Sequence, residues 1–147
     1  MSPPIFTRFI HKFVGMNHRT KVSSGTIWED QVGYSRAIRV GNVIEIAGTT
    51  AMDGIQIQCP GDVFGQTTFI LQKMTKAMES LGGQLQDVVR TRIYLADIKL
   101  WEEAGRAHGA FFREIKPVST MLAVQALIHP DLLVEIEMTA IIPQEHV

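Results

Sequence analysis

The sequence predicts an α+β protein: a mixed β-sheet with two helices laid on one of its faces. Three observations carry this. The closing run Leu132 to Ile142 alternates strictly, with Val134, Ile136, Met138 and Ala140 on one side and Glu135, Glu137 and Thr139 on the other. Two segments, Val63 to Leu81 and Leu100 to Arg113, each carry one apolar stripe at helical spacing. Alternating segments flank both in the order β-β-β, α, β, α, β-β, so two one-striped helices have a single sheet face to cover.

Taken in order, Val22 to Trp28 and Tyr34 to Arg39 read as short strands. The turn pair Gly41-Asn42 follows, and Val43 to Ala47 reads as the return strand of a hairpin closed by Gly48-Thr49-Thr50. Met52 to Gly61 is rich in turn formers and reads as a loop. Asp62 is placed to cap the first helix, whose stripe is Ile70, Met74, Ala77, Met78 and Leu81, with Gly82-Gly83 as the stop. The methionines read as core filler. In Asp87 to Ala96, parity puts Val89, Thr91, Ile93 and Leu95 on the core side and Arg90, Arg92 and Tyr94 on the other. The second helix turns Trp101, Ala104, His108, Phe111 and Phe112 inward. Ser119 to Leu127 alternates again. The connector His129-Pro130-Asp131 then makes a corner, because Pro130 has no amide donor and Asp131 favours turns.

With 147 residues the chain suits one domain and one core, and 46% hydrophobic with 20% charged residues is ordinary globular composition. A net charge of -1 gives no general attraction to nucleic acid or to an anionic membrane. No apolar run approaches the ~20 residues of a membrane helix. Cys59 is the single cysteine, so no internal disulfide forms; a reducing, cytoplasmic setting is expected, with Cys59 a plain thiol. No acidic residue precedes Glu29, while Arg8, Lys12, Arg19 and Lys21 do. A basic start of this kind suits a transit peptide, but few serines and Pro3-Pro4 favour a loose extension over residues 1–21, or an upstream start with Met16 as the alternative beginning. The domain is then expected over 22–147.

The sheet face away from the helices gathers Arg90, Arg92, Tyr94, Glu135 and Glu137. Two carboxylates one pleat apart need solvent, a cationic neighbour or a subunit boundary. Arginine and tyrosine favour the boundary. There is no phosphate-cradling glycine loop, no HExxH helix and no nucleophile elbow.

From Val22 to Pro143 the chain resembles the Rid or YjgF proteins, the reactive-intermediate deaminases once labelled endoribonuclease L-PSP. The resemblance is carried by Val32-Gly33-Tyr34-Ser35-Arg36-Ala37, Gly41-Asn42, Ala47-Gly48-Thr49, the run Asp87 to Asp97, Phe111-Phe112, Pro117 to Thr120 and Leu133-Val134-Glu135-Ile136-Glu137. It implies a chorismate-mutase-like fold, a six-stranded mixed sheet with two helices on one face. It also implies a homotrimer whose sheets form a central β-barrel, with a small-molecule cleft at each subunit boundary. Active members hydrolyse enamines or imines to 2-keto acids and ammonia, without metal or organic cofactor.

Carried over residue by residue, Tyr34, Gly48 with Thr49, and Trp101 match pocket positions, Arg90 a basic position near the cleft, and Glu135 the glutamate that orients the attacking water. Ser119 and Thr120 belong to the motif in which active members have the substrate-gripping arginine. Here Val118 stands at that position and Gly105 replaces the pocket asparagine. A valine offers neither charge nor donor to a carboxylate. On one reading Arg106 supplies the missing charge with His108 as its partner; on the other, Arg106 is solvated and His108 packs beside Trp101 and Phe111. Trp28-Glu29 reads as a pocket lip or as an anchor with a surface acid. Glu135 orients water or pairs with Arg90 or Arg92, and Glu137 reads as an ion-pair partner. Two functions stay open: a divergent enamine or imine deaminase, and a non-catalytic trimer that binds a metabolite or a partner. RNA cleavage follows only from the old label, and the charge balance argues against it.

Overall fold

The computed structural model describes residues 18–144. The strands are β1 (Arg19–Val22), β2 (Ala37–Val40), β3 (Val43–Thr50), β4 (Met52–Asp53), β5 (Gln56–Ile57), β6 (Val88–Leu95), β7 (Val118–Ala123) and β8 (Val134–Ile141). The helices are α1 (Ile27–Val32), α2 (Val63–Glu79) and α3 (Trp101–Phe112). Six strands form one mixed sheet in the order β1-β2-β3-β8-β6-β7, antiparallel except for the β6–β7 pair. This is the expected α+β architecture. The two long helices cover one face, and α3 is the crossover that a parallel pair requires.

The core lies under those helices. Ile44 and Ile46 of β3, Ile93 and Leu95 of β6, and Val134, Ile136, Met138 and Ala140 of β8 meet Ile70, Leu71, Met74 and Met78 of α2, all buried. Asp62 caps α2 as its sequence position requires, its carboxylate accepting the Gly65 amide at 2.9 Å. Gly82 ends the helical segment at φ 81°, a left-handed conformation that glycine adopts freely. Arg39 reaches over from β2 and donates to the Leu81 carbonyl at 2.7 Å, a cation at a helix C-terminus.

Several expectations are corrected. Val22 to Trp28 is not a strand: β1 ends at Val22, and Ile27–Val32 forms a short helix. Ser23 and Ser24 turn the chain by donating to the buried Glu29 carboxylate, the Ser24 amide at 2.8 Å, and Gly33 closes the helix at φ 83°. Glu29 is thus a buried anchor, not a surface acid, while Trp28 is exposed. The second strand starts at Ala37, not Tyr34. Gly48-Thr49-Thr50 lie inside β3 instead of closing a hairpin, and the loop from Met52 holds the small β4–β5 ribbon. Val89 is not a core residue. A register irregularity between Val88 and Arg90 puts Val88 inside and leaves Val89 exposed. Trp101 faces outward, 53% exposed, because Ala104, Ala107 and Phe112 form the buried stripe of α3. β7 stops at Ala123, well short of Leu127. Of the extension expected over 1–21, residues 1–17 lie outside the described residues, as does Met16, and Arg19–Val22 belong to the sheet.

Candidate functional site

The open face of the sheet sorts its charges by register. Tyr94 stands opposite Glu135, and Arg92 opposite Glu137. The Tyr94 hydroxyl donates diagonally to Glu137, and Arg92 Nη1 lies 3.9 Å from the same carboxylate. That bond to Glu137, helped by burial, raises the Tyr94 pKa. Glu137 is therefore occupied. Glu135 is half-buried, and among the described residues no hydrogen bond or ion pair reaches it. Burial lifts its carboxyl above the usual range, Arg36 opposes the rise and Glu137 adds to it.

A bulge in β3 shapes the ground around Glu135. Ile46 pairs with Met138 and Thr49 with Ile136, so β3 spends one residue more than β8 over this stretch. Gly48 lies on the bulge, against Glu135: a Cβ there would sit 2.3 Å from Oε1. Arg36, from the approach to β2, crosses behind it. Its Nη1 donates to the Gly48 carbonyl and to Thr49 Oγ1, each at 2.8 Å. Its guanidinium carbon lies 5.7 Å from the centre of the Tyr34 ring. Tyr34 also lines an open groove of about 450 Å³ with Lys21, Ser23, Glu29 and Ser35. Tyr34, Arg36, Gly48, Thr49 and Glu135 thus form one corner of a single protomer.

The remaining candidates lie elsewhere. Val118 is in register with Arg90, and Glu135 with Tyr94 four residues further along β6, on its far side. By ordinary sheet spacings that is roughly 14 Å along and 10 Å across. Val118 is 57% exposed on the edge strand, and Thr120 is exposed beside it. Ser119 belongs to the helix side of the sheet. Thr91, fully buried, donates to Ser119 Oγ at 2.8 Å and lies 2.9 Å from His108 Nε2. With the Thr91 proton directed to Ser119, Nε2 is assigned as the donor. Burial lowers the His108 pKa, and the ring packs on Phe112 at 4.6 Å. Gly105 lies near Met121, with no polar neighbour at its α-carbon. Arg106 is on the exposed side of α3, bound to Glu103 at 2.7 Å and stacked over Phe64. In the protomer neither it nor Trp101 joins the Glu135 corner.

The residue that sequence reasoning passed over is Arg36. It lies two positions after Tyr34, the spacing of a shared strand face, but an arginine at a strand start reads as solvated. Cys59 is an exposed free thiol, and among the described residues no three His, Cys, Asp or Glu side chains converge as a metal site. Nor is any helix among them long and apolar enough to cross a membrane.

The sheet with its helix-covered face defines a class of small α+β proteins. Residues 28–142 match the family model described as endoribonuclease L-PSP. The chain belongs to that family, the YjgF or Rid proteins. It is 36% identical over 120 residues to the uncharacterised protein SCO2049 of Streptomyces coelicolor, spanning 82% of this chain and 90% of the relative. It is 32% identical over 108 residues to the RutC family protein PYRAB12510 of Pyrococcus abyssi, spanning 73% and 84%. The crystal structure of Rv2704 of Mycobacterium tuberculosis, a member of the YjgF/YER057c/UK114 family, superposes with a TM-score of 0.78 at 46% identity, over 85% of this chain and all (100%) of that one.

Proposed function

We propose that this protein is a divergent enamine or imine deaminase, a hydrolase that releases ammonia and a carbonyl product. It works in the cytoplasm as a homotrimer. The edge residues Val118 to Thr120 of one copy then meet the Tyr34–Gly48–Glu135 corner of the next, closing the distance that separates them in one protomer.

The observation that carries the reading is Glu135: half-buried, unpaired among the described residues, and held above the usual carboxylate range by burial. A carboxylate in that state is a competent proton carrier. It takes a proton from water as the oxygen adds to the C=N carbon, then returns it to nitrogen. The carboxylate then carries the proton of the new hydroxyl to the amino nitrogen as the C–N bond breaks, leaving the carbonyl and ammonia. An enamine enters the same path after protonation at carbon.

The test is ammonia release from imines generated in situ from several amino acids, and from neutral imines that lack the carboxylate. The expected result is a rate above buffer that Glu135→Gln abolishes. No rate with any of them counts against the hydrolase. One observation favours a second reading, a trimer that binds a metabolite or a partner without turnover: Val118 brings no cation to the cleft. Binding of 2-keto acids without deamination supports that reading. A stable monomer by light scattering is the result neither reading survives.

A further inference from the structure

We propose that Arg36 is the specificity-determining cation of this cleft, its Nε–Nη2 edge receiving a substrate carboxylate beside Glu135. The proposal rests on the hydrolase reading for the reaction but not for the binding.

Arg36 is built into the corner and not draped over it. Nη1 is spent on the Gly48 carbonyl and Thr49 Oγ1, which fixes the plane of the guanidinium. The opposite edge, Nε with Nη2, is the one whose two parallel N–H bonds match the two oxygens of a carboxylate. That edge is unspent. Nε is buried with no acceptor, and among the described residues no hydrogen bond is made by Nη2. Orphaned buried donors are rare in folded proteins and are costly, more so when charged. An acceptor brought by a ligand removes that cost. Nε is shut from solvent, so the ligand's second oxygen reaches it only when a neighbour swings aside. The Tyr34 ring, 37% exposed, has its centre 5.7 Å from the guanidinium carbon.

Among the described residues Lys21 also lines the Tyr34 groove, while other cations are committed or distant. Arg92 pairs with Glu137, Arg106 with Glu103, and Lys73 donates to the Met52 carbonyl at 2.7 Å. Arg90 stands beside Val118, four residues down β6 from the position facing Glu135. Arg36 is near enough to Glu135 for its charge to act on the carboxyl, yet no ion pair joins them. A ligand that presents an anion to Arg36 and an electrophilic carbon to Glu135 uses both groups as they stand.

The experiment is calorimetric titration of the full chain with pyruvate, methyl pyruvate and inorganic phosphate, repeated with Arg36→Gln, which removes the guanidinium. Pyruvate is expected to bind about tenfold or more tightly than its ester, and Arg36→Gln to erase the difference. Equal affinity for acid and ester, tighter binding of phosphate, or a folded Arg36→Gln that keeps the preference each overturn the proposal. If Arg36→Gln does not fold, the ¹⁵N resonance of Arg36 Nε in the wild type decides. It shifts with pyruvate and not with the ester, or the proposal falls. Carboxylate binding at Arg36 without deamination sinks the hydrolase reading alone. Turnover of neutral imines with no carboxylate preference sinks this proposal alone.

Discussion

The Glu135 carboxylate rests against the bare α-carbon of Gly48, so close that a methyl group there would lie 2.3 Å from Oε1. The backbone at Gly48 is ordinary strand, and the colliding atom is the tip of a flexible side chain. Gly48→Ala is therefore expected to fold with a stability loss of about 1 kcal/mol or less. The carboxylate has to move, and any deaminase activity should fall about tenfold or more through loss of position. Denaturant melts alongside ammonia release check both halves; a cost to stability alone rules out the positional role.

Burial holds the Glu135 carboxyl above its usual 4.5, with Arg36 opposing and Glu137 adding to the rise. Between that value and the folded one, the native state keeps a proton that the unfolded chain has released. Stability therefore declines as pH climbs through this window. Above it the wild type carries a half-buried charge, so Glu135→Gln should melt higher at neutral pH and lose its advantage below the usual value. Thermal melts across the acidic range measure this. The acidic limb of any pH–rate profile should likewise lie above 4.5.

Thr91 holds α3 to the sheet through His108 and to the edge strand through Ser119. Thr91→Val keeps the shape but leaves His108 Nε2 half-buried and unsatisfied, at a cost of ~1–3 kcal/mol in the denaturant midpoint. Burial also holds the His108 pKa below its usual 6.5. The unfolded chain takes up this proton first as pH falls, so the contribution is whole above 6.5 and is lost through the acidic side. His108→Gln should flatten that slope; an unchanged slope means another group sets it.

Asp62→Ala removes the acceptor for the Gly65 amide at the start of α2. The expected loss is about 1 kcal/mol, with activity untouched, because the cap lies outside the Glu135 corner.

Much of this was legible in the chain. The β8 alternation gives four buried residues against an outer carboxylate row, and the α2 cap and stop were plain. What failed were the places where tertiary contacts override period and propensity. Glu29 is buried because Ser23 and Ser24 hold it, and a strand reading cannot foresee a carboxylate gripped by local donors. Val89 lies outside because a bulge costs a pleated strand its parity without altering its composition. Arg36 escapes a sequence pattern because its partners are the carbonyl of Gly48 and the hydroxyl of Thr49, which one dimension does not bring together. The division of the candidates into two distant groups follows from the strand order, in which β6 separates β7 from β8.

The extra residue in β3 acts as a frameshift in the pleat. Ahead of it Ile44 and Ile46 face the core, and beyond it Thr49 and Ala51 do. Deleting one residue between Ile46 and Thr49 would restore regular pairing while keeping Thr49 opposite Ile136 and facing the core. It would also remove the bulge that turns the Gly48 carbonyl toward Arg36 and close the ground on which Glu135 lies. Lineages that conserve this acid are thus bound to conserve a count, and length variation should spare this stretch even where its letters drift.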